Sequence, residues 1–480
     1  MARFERILIA NRGEIAVRIM RACRELGIGA VAVYGDGEEH ARHVRAAGDS
    51  YRIATSDSLP YLDIAALIDV AVRANVQAVH PGYGFLAENA GFAKACCDAG
   101  LVFIGPSSRA ITSMGDKVEA RGIAVKAGVP VVPGSDGPVG SVDEARTWAD
   151  RHGYPIAVKA AGGGGGRGFR VARSAEELES AFAGSSGEAA RYFANPVVYL
   201  ERYLDRPRHV EVQVFADDHG HTIALGERDC SVQRRHQKLL EETPSPAVDA
   251  PLRGALAEAA VALAKAVDYR GAGTVEFLLA EDGCFYFLEM NTRIQVEHTI
   301  TEAVTGVDLV KEQILVAQGR PCSFDAAAAA PRGHAIECRI NAEDAGRDFA
   351  PGAGVVTRYR EPGGPGVRVD SAMEEGAEVL PAYDSLIAKL VVWGRDRTEA
   401  MARVRRALNE FEVEGVLTTI PFHQRVLTHP AFVSGSATTA FLADFPEVIP
   451  PPAPPITVEA GGEALPPREL AVEVNGRRLV

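Results

Sequence analysis

Apolar positions in the first third of the chain follow two alternating patterns. Short continuous apolar runs, typical of buried strands, are separated by segments in which apolar residues recur every three or four positions, as on one face of a helix. The runs predict strands at Arg6–Ala10, Ala30–Tyr34, Ala78–His80 and Leu101–Ile104, and the periodic segments predict helices at Glu14–Leu26, Ile64–Ala74 and Phe92–Ala99. Strands and helices that alternate in this way form a parallel sheet, so we expect an α/β fold with an N-terminal parallel βαβ domain.

The pattern changes from about Asp116 onward. A predicted helix at Lys117–Ala127 leads into a Gly/Pro-rich stretch, Gly128–Gly140, which is followed by another helix and a strand ending at Lys159. Longer β segments come next, at His209–Phe215, Thr222–Arg228, Gly273–Leu279 and Cys284–Met290. This part should form a second domain that is richer in strands.

The last part of the chain mixes strands with a helix and then loses its apolar pattern. Strands are predicted at Gly333–Ile340 and Ser385–Trp393, and a helix at Thr398–Glu412. The run Pro450–Pro455 predicts a stiff, extended linker. Beyond the linker, two strand-like segments flank Asn475-Gly476, a strong hairpin signal, at Glu469–Val474 and Arg477–Val480. Because the second strand is short, we interpret the chain as a piece of a longer protein.

Composition and charge exclude several classes of protein. The chain is 47% apolar and 24% charged, and no apolar run approaches the length of a membrane span, so we expect a cytoplasmic protein. A formal net charge of −13 disfavours bulk binding to nucleic acid, which needs a basic surface. The seven cysteines form no CxxC pair, which disfavours a disulfide framework or a structural zinc site.

A glycine-rich loop is the most informative local feature. Lys159 is followed by Gly162–Gly166 and then by Arg167. Successive glycines let backbone N–H groups approach anionic oxygens without obstruction by Cβ, and a preceding lysine adds a charge suited to phosphate. The loop matches neither a P-loop nor a kinase glycine loop, so a nucleotide is predicted while its class stays open.

Two predicted neighbouring strands each carry one carboxylate among apolar residues. Glu276 and Glu289 lie on either side of a hairpin turn, and Asn291 follows directly. Two buried like charges are costly unless a cation lies between them, and Mg²⁺ prefers oxygen ligands. Two solvent-facing glutamates would explain the alternation equally well, but the additional oxygen of Asn291 favours a metal site.

A polar stretch follows these strands. Arg293, Gln295 and Glu297 alternate, so in an extended conformation they would share one face and could hold a small planar anion such as bicarbonate. Upstream, Asp229–Lys238 concentrates positive and polar side chains, which form either a solvated face or an anion pocket.

Together these motifs resemble the biotin carboxylase family of ATP-grasp enzymes, over about residues 3–445. The segments that carry the resemblance are Ile9–Ala16, His80–Asn89, Met114–Lys117, the glycine loop, Glu227–Lys238, Glu289–His298 and Glu337–Asp344. The resemblance implies an N-terminal domain at 1–115, a central ATP-grasp domain at 116–332 with a mobile glycine-loop lid at about 131–204, and a C-terminal α+β domain at 333–446. A Pro-rich linker at 447–468 and the start of a truncated module at 469–480 would follow.

The resemblance also implies roles for individual residues. ATP would be bound by Lys117, Lys159, Gly163, Gly164, Gly165, Gly166, Glu201, Leu204, His209, Gln233 and His236. Mg²⁺ (or Mn²⁺) would be held by Glu276, Glu289 and Asn291, and bicarbonate by Lys238, Arg293, Gln295 and Val296. Glu297 would be the general base, Arg339 would stabilise the biotin enolate, and Tyr83 would lie beside the biotin ring.

The implied reaction is the carboxylation of biotin through carboxyphosphate, as the first half-reaction of an acyl-CoA carboxylase such as an acetyl- or propionyl-CoA carboxylase. No Ala-Met-Lys-Met biotinylation motif occurs in the chain, so the biotin would be on another domain or chain. The implied partners are a biotin carboxyl carrier domain, a carboxyltransferase subunit and a second copy of the chain. The alternatives are a component of a pyruvate or other biotin-dependent carboxylase, a different ATP-grasp carboxylate–amine ligase, and a non-catalytic scaffold.

Overall fold

The computed structural model describes residues 3–55, 59–135, 137–160, 168–193, 197–454, 472–474 and 477–479. The glycine loop at Gly162–Gly166 therefore lies outside the described residues. In the ranges that are described, no helix combines the length and the apolar character that crossing a bilayer requires.

The N-terminal part contains the predicted parallel sheet. Its strands are β1 (Arg6–Ile9), β2 (Gly29–Tyr34), β3 (Asp49–Arg52), β4 (Ala78–His80) and β5 (Val102–Phe103), and its helices are α1 (Gly13–Glu25), α2 (Arg42–Ala46), α3 (Ile64–Arg73), α4 (Ala90–Asp98) and α5 (Ser108–Gly115). The strand order β3-β2-β1-β4-β5 places β1 at the centre, with parallel pairing throughout. Loops at the carboxyl ends of parallel strands share one edge, and they bring Arg12, after β1, and Tyr83, after β4, to the same cleft.

The next part forms a small sheet with its own core. Its strands β6 (Ile156–Ala160), β7 (Phe169–Ala172) and β8 (Val198–Arg202) pair in the order β7-β6-β8, and its helices are α7 (Val142–His152) and α8 (Ala175–Phe193). The preceding helix, α6 (Lys117–Lys126), packs instead in the core of the larger sheet described next. Ile156, Val158, Leu178 and Leu200 are fully buried in this core. β6 packs in this core and carries Lys159 near its carboxyl end.

The remaining elements are built around one sheet of eight strands, flanked by several short strands. The strands are β9 (Arg208–Ala216), β10 (Thr222–Arg234), β11 (Gln237–Thr243), β12 (Gly271–Leu279), β13 (Phe285–Asn291), β14 (His334–Asn341), β15 (Glu343–Asp344), β16 (Ala350–Pro351), β17 (Gly354–Val355), β18 (Arg358–Arg360), β19 (Val367–Ser371), β20 (Glu378–Val379), β21 (Leu386–Gly394) and β22 (Glu412–Glu414). The helices are α9 (Ala250–Ala266), α10 (His298–Thr305), α11 (Leu309–Ala317), α12 (Arg397–Glu410), α13 (Ile420–Val426), α14 (Pro430–Val433) and α15 (Phe441–Asp444).

This antiparallel sheet has the order β13-β12-β9-β10-β11-β14-β21-β19. It runs across the domain boundary expected at residue 333, because β11 pairs with β14 through Leu240 and Cys338. The fold class is the predicted α/β arrangement, with an N-terminal parallel sheet and a large antiparallel sheet. β10 extends to Arg234, beyond the predicted end at Arg228, and β11 was not predicted, since the charged residues in this stretch hide the strand pattern.

The predicted C-terminal hairpin is present as β23 (Val472–Val474) and β24 (Arg477–Leu479), with Val472 opposite Leu479. Its position was not predicted. β24 pairs antiparallel with β3, with Arg477 opposite Tyr51, and so extends the N-terminal sheet to seven strands. Backbone pairing at an open sheet edge needs no particular side-chain pattern, which is why the sequence did not indicate it.

Candidate active site

A single cleft with a volume of about 1590 Å³ is lined by all three parts of the fold. Every predicted site residue within the described ranges lines it, namely Tyr83, Lys117, Lys159, Glu201, Leu204, His209, Gln233, His236, Lys238, Glu276, Glu289, Asn291, Arg293, Gln295, Val296, Glu297 and Arg339. The predicted contacts of Gly163–Gly166 fall outside the described residues. Ligand pockets typically measure about 300–1,000 Å³, so this cleft has room for more than one small molecule.

Lys238 lies at the centre of a cluster of carboxylates in this cleft. Its Nζ is 2.8 Å from Oε1 of Glu276 and 2.6 Å from Oε1 of Glu297, and it also pairs with Glu211. Burial alone would lower the pKa of Lys238, but the three carboxylates raise it well above its ordinary value. The lysine therefore stays charged, and it offers a fixed positive centre to an anion that displaces one of the carboxylates.

Glu297 is held between two cations. Besides Lys238, Arg339 donates from Nη2 to Oε2 of Glu297 at 2.9 Å, while Nε of Arg339 donates to Glu241 at 2.6 Å. Burial would raise the pKa of Glu297, yet Lys238 and Arg339 hold it below its ordinary range. The carboxylate is thus ionised at neutral pH, as a residue must be if it is to accept a proton from a neighbouring substrate.

The segment from Arg293 to Glu297 is not extended, so the prediction of a shared strand face is wrong in its backbone geometry. The segment bends after β13 and turns into α10, and the turn is closed by a hydrogen bond from the backbone N–H of His298 to the carbonyl of Gln295. The side chains of Gln295 and Glu297 nevertheless converge on Lys238. Arg293 is oriented differently, with Nε donating to Glu88 at 2.8 Å.

Glu276 and Glu289 are direct cross-strand partners on β12 and β13, as the sequence indicated. Burial and the adjacent Glu276 raise the pKa of Glu289, although Lys117 opposes the rise. Asn291 donates from Nδ2 to Glu276 at 3.0 Å, and Nε2 of His209 lies 3.0 Å from the same carboxylate, within ion-pair distance but not in hydrogen-bond alignment. Two facing carboxylates and an amide oxygen match the hard oxygen ligands that Mg²⁺ or Mn²⁺ prefers.

The predicted phosphate and adenine contacts come from several elements that line the cleft. Lys117 is the first residue of α6, and Lys159 lies on β6. Lys159 forms an ion pair with Glu201, so in this structure that carboxylate holds a lysine. Leu204 lines the cleft after β8, and His236 lines it from the tight turn between β10 and β11, where its φ of 67° is left-handed.

Several charged residues that support this site were not predicted from the sequence. Arg228 and Glu211 are fully buried and paired at 2.5 Å, and Glu241 is fully buried beside Arg339. On β9, polar residues alternate with Val210, Val212 and Val214. This pattern is typical of a strand with one face exposed to solvent. Burial of both faces of the strand is a property of the tertiary structure, so the alternation gave no sign that these charges face inward.

Comparison with protein families assigns nearly the whole chain. Residues 3–111 match the family described as "Biotin carboxylase, N-terminal domain". Residues 116–324 match "Carbamoyl-phosphate synthase L chain, ATP binding domain". Residues 337–444 match "Biotin carboxylase C-terminal domain".

Individual relatives agree with these matches. The chain is 53% identical over 445 residues to biotin carboxylase 1 of Bacillus subtilis, covering 92% of this chain and 98% of the relative. It is 47% identical over 486 residues to the biotin-dependent acyl-coenzyme A carboxylase alpha3 subunit of Mycobacterium leprae, covering 100% of this chain and 81% of that subunit.

Among solved structures, the fold is similar to the biotin carboxylase domain dimer of the 2-oxoglutarate carboxylase of Hydrogenobacter thermophilus. That structure is a complex with MgADP, ADP and bicarbonate. The TM-score is 0.88 at 46% identity, covering 94% of this chain and 99% of the other.

Proposed function

The chain belongs to the biotin carboxylase family, and we propose that it carboxylates biotin on a carrier domain, using ATP and bicarbonate, as the first half-reaction of an acyl-CoA carboxylase. The observation that carries the proposal is the position of Glu297. This ionised carboxylate is held by Lys238 and Arg339, in the same cleft as the facing carboxylates Glu276 and Glu289.

In the first step, Lys238, Arg293, Gln295 and Val296 bind bicarbonate, and Glu297 accepts its proton. A bicarbonate oxygen then attacks the γ-phosphorus of ATP, and the bond to the β-phosphate oxygen breaks to give carboxyphosphate and ADP. Deprotonation makes bicarbonate a stronger nucleophile, and Glu297 releases the proton to water before the next turnover. The two cations beside Glu297 stabilise the ionised form from which it starts.

ATP is held on the other side of the cleft. Lys117 and Lys159 line the cleft and would contact its phosphates, while His209, Gln233 and His236 would form the nucleotide pocket together with Glu201 and Leu204. Glu276, Glu289 and Asn291 would hold Mg²⁺ or Mn²⁺, which supplies positive charge against the phosphates during transfer. Since Lys159 is engaged by Glu201, ATP binding would release this lysine toward the phosphates.

In the second step, carboxyphosphate decomposes to CO₂ and phosphate, and phosphate takes the N1 proton of biotin. Arg339 stabilises the enolate oxygen that develops on the ureido ring, and N1 attacks CO₂ to form carboxybiotin. Tyr83 lines the same cleft and would lie beside the biotin ring. Because Arg339 also contacts Glu297, the bicarbonate and biotin subsites are adjacent.

The acyl-CoA assignment and the partners are supported by the relative from Mycobacterium leprae, which aligns with the whole chain. On this proposal a biotin carboxyl carrier domain and a carboxyltransferase complete the reaction, and two copies of the chain form a dimer. A 2-oxo acid is the second candidate acceptor, because the 2-oxoglutarate carboxylase domain shares the fold at 46% identity.

The test is an ATPase assay on the purified chain, with bicarbonate and free biotin varied independently. We expect ATP cleavage that requires bicarbonate and is stimulated by biotin, with label from [¹⁴C]bicarbonate appearing in carboxybiotin. ATP cleavage that ignores both compounds would disprove the reaction. With the carrier and carboxyltransferase added, label is expected in the carboxylated product of acetyl-CoA or propionyl-CoA, and label in the carboxylated product of pyruvate or 2-oxoglutarate would overturn the acyl-CoA assignment.

A further inference from the structure

A fully buried lysine behind the cleft belongs to none of the roles described above. Lys389 lies on β21, and its side chain has 0% exposure. Its Nζ donates to the carbonyl oxygen of Val296 at 3.0 Å and lies 3.0 Å from Oε1 of Glu14. A buried lysine is retained only where its charge is well paired, so its position is determined by these two acceptors.

The sheet register places Lys389 directly beside Arg339 on the neighbouring strand β14. Cross-strand partners point to the same face of a sheet. These two cations contact consecutive residues, since Arg339 donates to the carboxylate of Glu297 and Lys389 donates to the carbonyl of Val296. Together they hold both the side chain of the proposed base and the backbone just before it.

Glu14 connects Lys389 to Tyr83, which lines the same cleft. The oxygen of Glu14 that contacts Lys389 also accepts a hydrogen bond from the hydroxyl of Tyr83. Nζ of Lys389 lies 5.6 Å from the centre of the Tyr83 ring. The second oxygen of Glu14 is buried and has no hydrogen-bond partner among the described residues. An unpartnered buried carboxylate oxygen costs free energy, a cost that packing alone does not explain.

We propose that Lys389 is a positioning residue that couples the bicarbonate subsite to the biotin subsite, by holding the Val296 backbone and, through Glu14, the Tyr83 side chain. The inference rests on the proposed function, because those two subsites define what is coupled. The three residues that Lys389 connects come from α1, the loop after β4 and the loop before α10, so their relative positions depend on this buried contact.

The test uses Lys389→Met, which keeps an unbranched side chain, shorter by the terminal nitrogen atom, and removes its charge. We expect KM for bicarbonate and for biotin to rise by about 10- to 100-fold, because small displacements of positioned groups have effects of this size, while KM for ATP changes less than about twofold. Lys265→Met, at an exposed lysine on α9, is the matched control and should behave like the wild type.

Glu14→Gln and the double variant Glu14→Gln/Lys389→Met separate coupling from a general loss of structure. Removing one member of a buried ion pair leaves an unpaired charge, so the double variant should lose less than the sum of the two single variants. Tyr83→Phe, which removes only the hydroxyl, should raise KM for biotin more than KM for bicarbonate. A wild-type chain without bicarbonate-dependent ATPase activity would overturn the proposed function itself.

With an active wild type, the outcomes for Lys389 are distinct. Bicarbonate and biotin KM values within twofold of the wild type in a folded Lys389→Met variant would overturn the coupling. Equal rises in KM for bicarbonate, biotin and ATP would also overturn the coupling, because a purely structural lysine would affect all three substrates alike. Additive effects of the two substitutions in the double variant would overturn it as well. If Lys389→Met does not fold, the KM values of Glu14→Gln for bicarbonate, biotin and ATP decide by the same criteria.

Discussion

At the scale of single residues, the chemistry depends on how each carboxylate in the cleft is paired. Glu297 has two cationic partners, whereas Glu289 faces another carboxylate. The pKa of Glu297 is accordingly lowered and that of Glu289 is raised, although both side chains are largely removed from water. Opposite shifts of this kind suit the different tasks that we propose for the two residues, proton acceptance by Glu297 and cation binding by Glu289.

Glu297→Gln should remove the general base while keeping the fold. Lys238 retains Glu211 and Glu276, and Arg339 retains Glu241, so no cation loses all its partners. We expect bicarbonate-dependent ATP cleavage to fall by about 100- to 10,000-fold, with nucleotide affinity unchanged. Steady-state ATPase rates and fluorescent nucleotide titration measure the two quantities, and Glu258→Gln, at an exposed position on α9, is the control. Wild-type turnover in Glu297→Gln would remove this residue from the mechanism.

Glu289→Gln should weaken metal binding. The substitution relieves repulsion from Glu276 but removes one of two facing anionic ligands. We expect the Mg²⁺ concentration for half-maximal ATPase activity to rise by about 10- to 100-fold. Mn²⁺ binding in the presence of ADP, followed by water-proton relaxation, should weaken in parallel. Glu281→Gln, exposed in the turn of the same hairpin, should change neither, and equal metal affinity in both variants would contradict the assignment.

At the scale of elements, Glu242 joins three of them. From β11 it pairs with His334, at the start of β14, at 2.9 Å, and with Arg397, at the start of α12, at 2.7 Å. Burial would raise the pKa of Glu242, but hydrogen bonds from these two partners lower it below its ordinary value of 4.5. The carboxylate therefore stabilises the folded chain when it is ionised, that is, at pH values above its ordinary pKa.

Glu242→Gln should lower the free energy of unfolding by about 3–5 kcal/mol at pH 7, as loss of a buried charged partner does. The group has a lower pKa in the folded state, so its contribution is lost as the pH falls from about 4.5 through the folded-state value. The difference from the wild type should accordingly shrink below pH 4.5. Denaturant unfolding at several pH values measures this difference in the free energy of unfolding. Glu410→Gln, in the exposed pair with Arg406, should have a much smaller effect at every pH, and a constant difference for Glu242→Gln would contradict the pKa assignment.

At the scale of the whole molecule, the cleft exists only because three parts of the chain meet. Tyr83 comes from the parallel sheet, Lys159 from the small sheet, and Glu297 and Arg339 from the loop before α10 and from β14. The residues after the Pro-rich linker contribute none of the predicted site residues, and β24, one of their two described strands, pairs with β3 at the far edge of the N-terminal sheet.

Removing residues 455–480 should therefore leave bicarbonate-dependent ATPase activity within about twofold of the full chain. The expected cost is limited to stability, because β3 loses its neighbour β24 and becomes an open edge. Activity assays and thermal unfolding of the two proteins, side by side, measure both effects. Loss of activity in a folded truncated chain would show that the C-terminal hairpin supports the cleft.

Local patterns were sufficient for most elements but not for all. Helices α1 and α3 begin and end within one residue of their predicted limits, because their apolar periodicity is regular. The pattern was insufficient for β3, whose sequence Asp-Ser-Tyr-Arg has no apolar run, and for β11, where charged residues are buried. Both strands also pair with a strand that is distant in sequence, β3 with β24 and β11 with β14, and this pairing outweighs local preference.

By itself, the sequence determined the parallel sheet and the hairpin that sets Glu276 against Glu289, since both follow from local periodicity and short motifs. The roles proposed for individual polar residues came from the resemblance that those motifs carry. Only the tertiary structure decided the charge state of Glu297 and the buried position of Lys389. Both depend on residues about 40 to 375 positions away, and electrostatic energy depends on distance in space and on the exclusion of water, neither of which is a property of the linear chain.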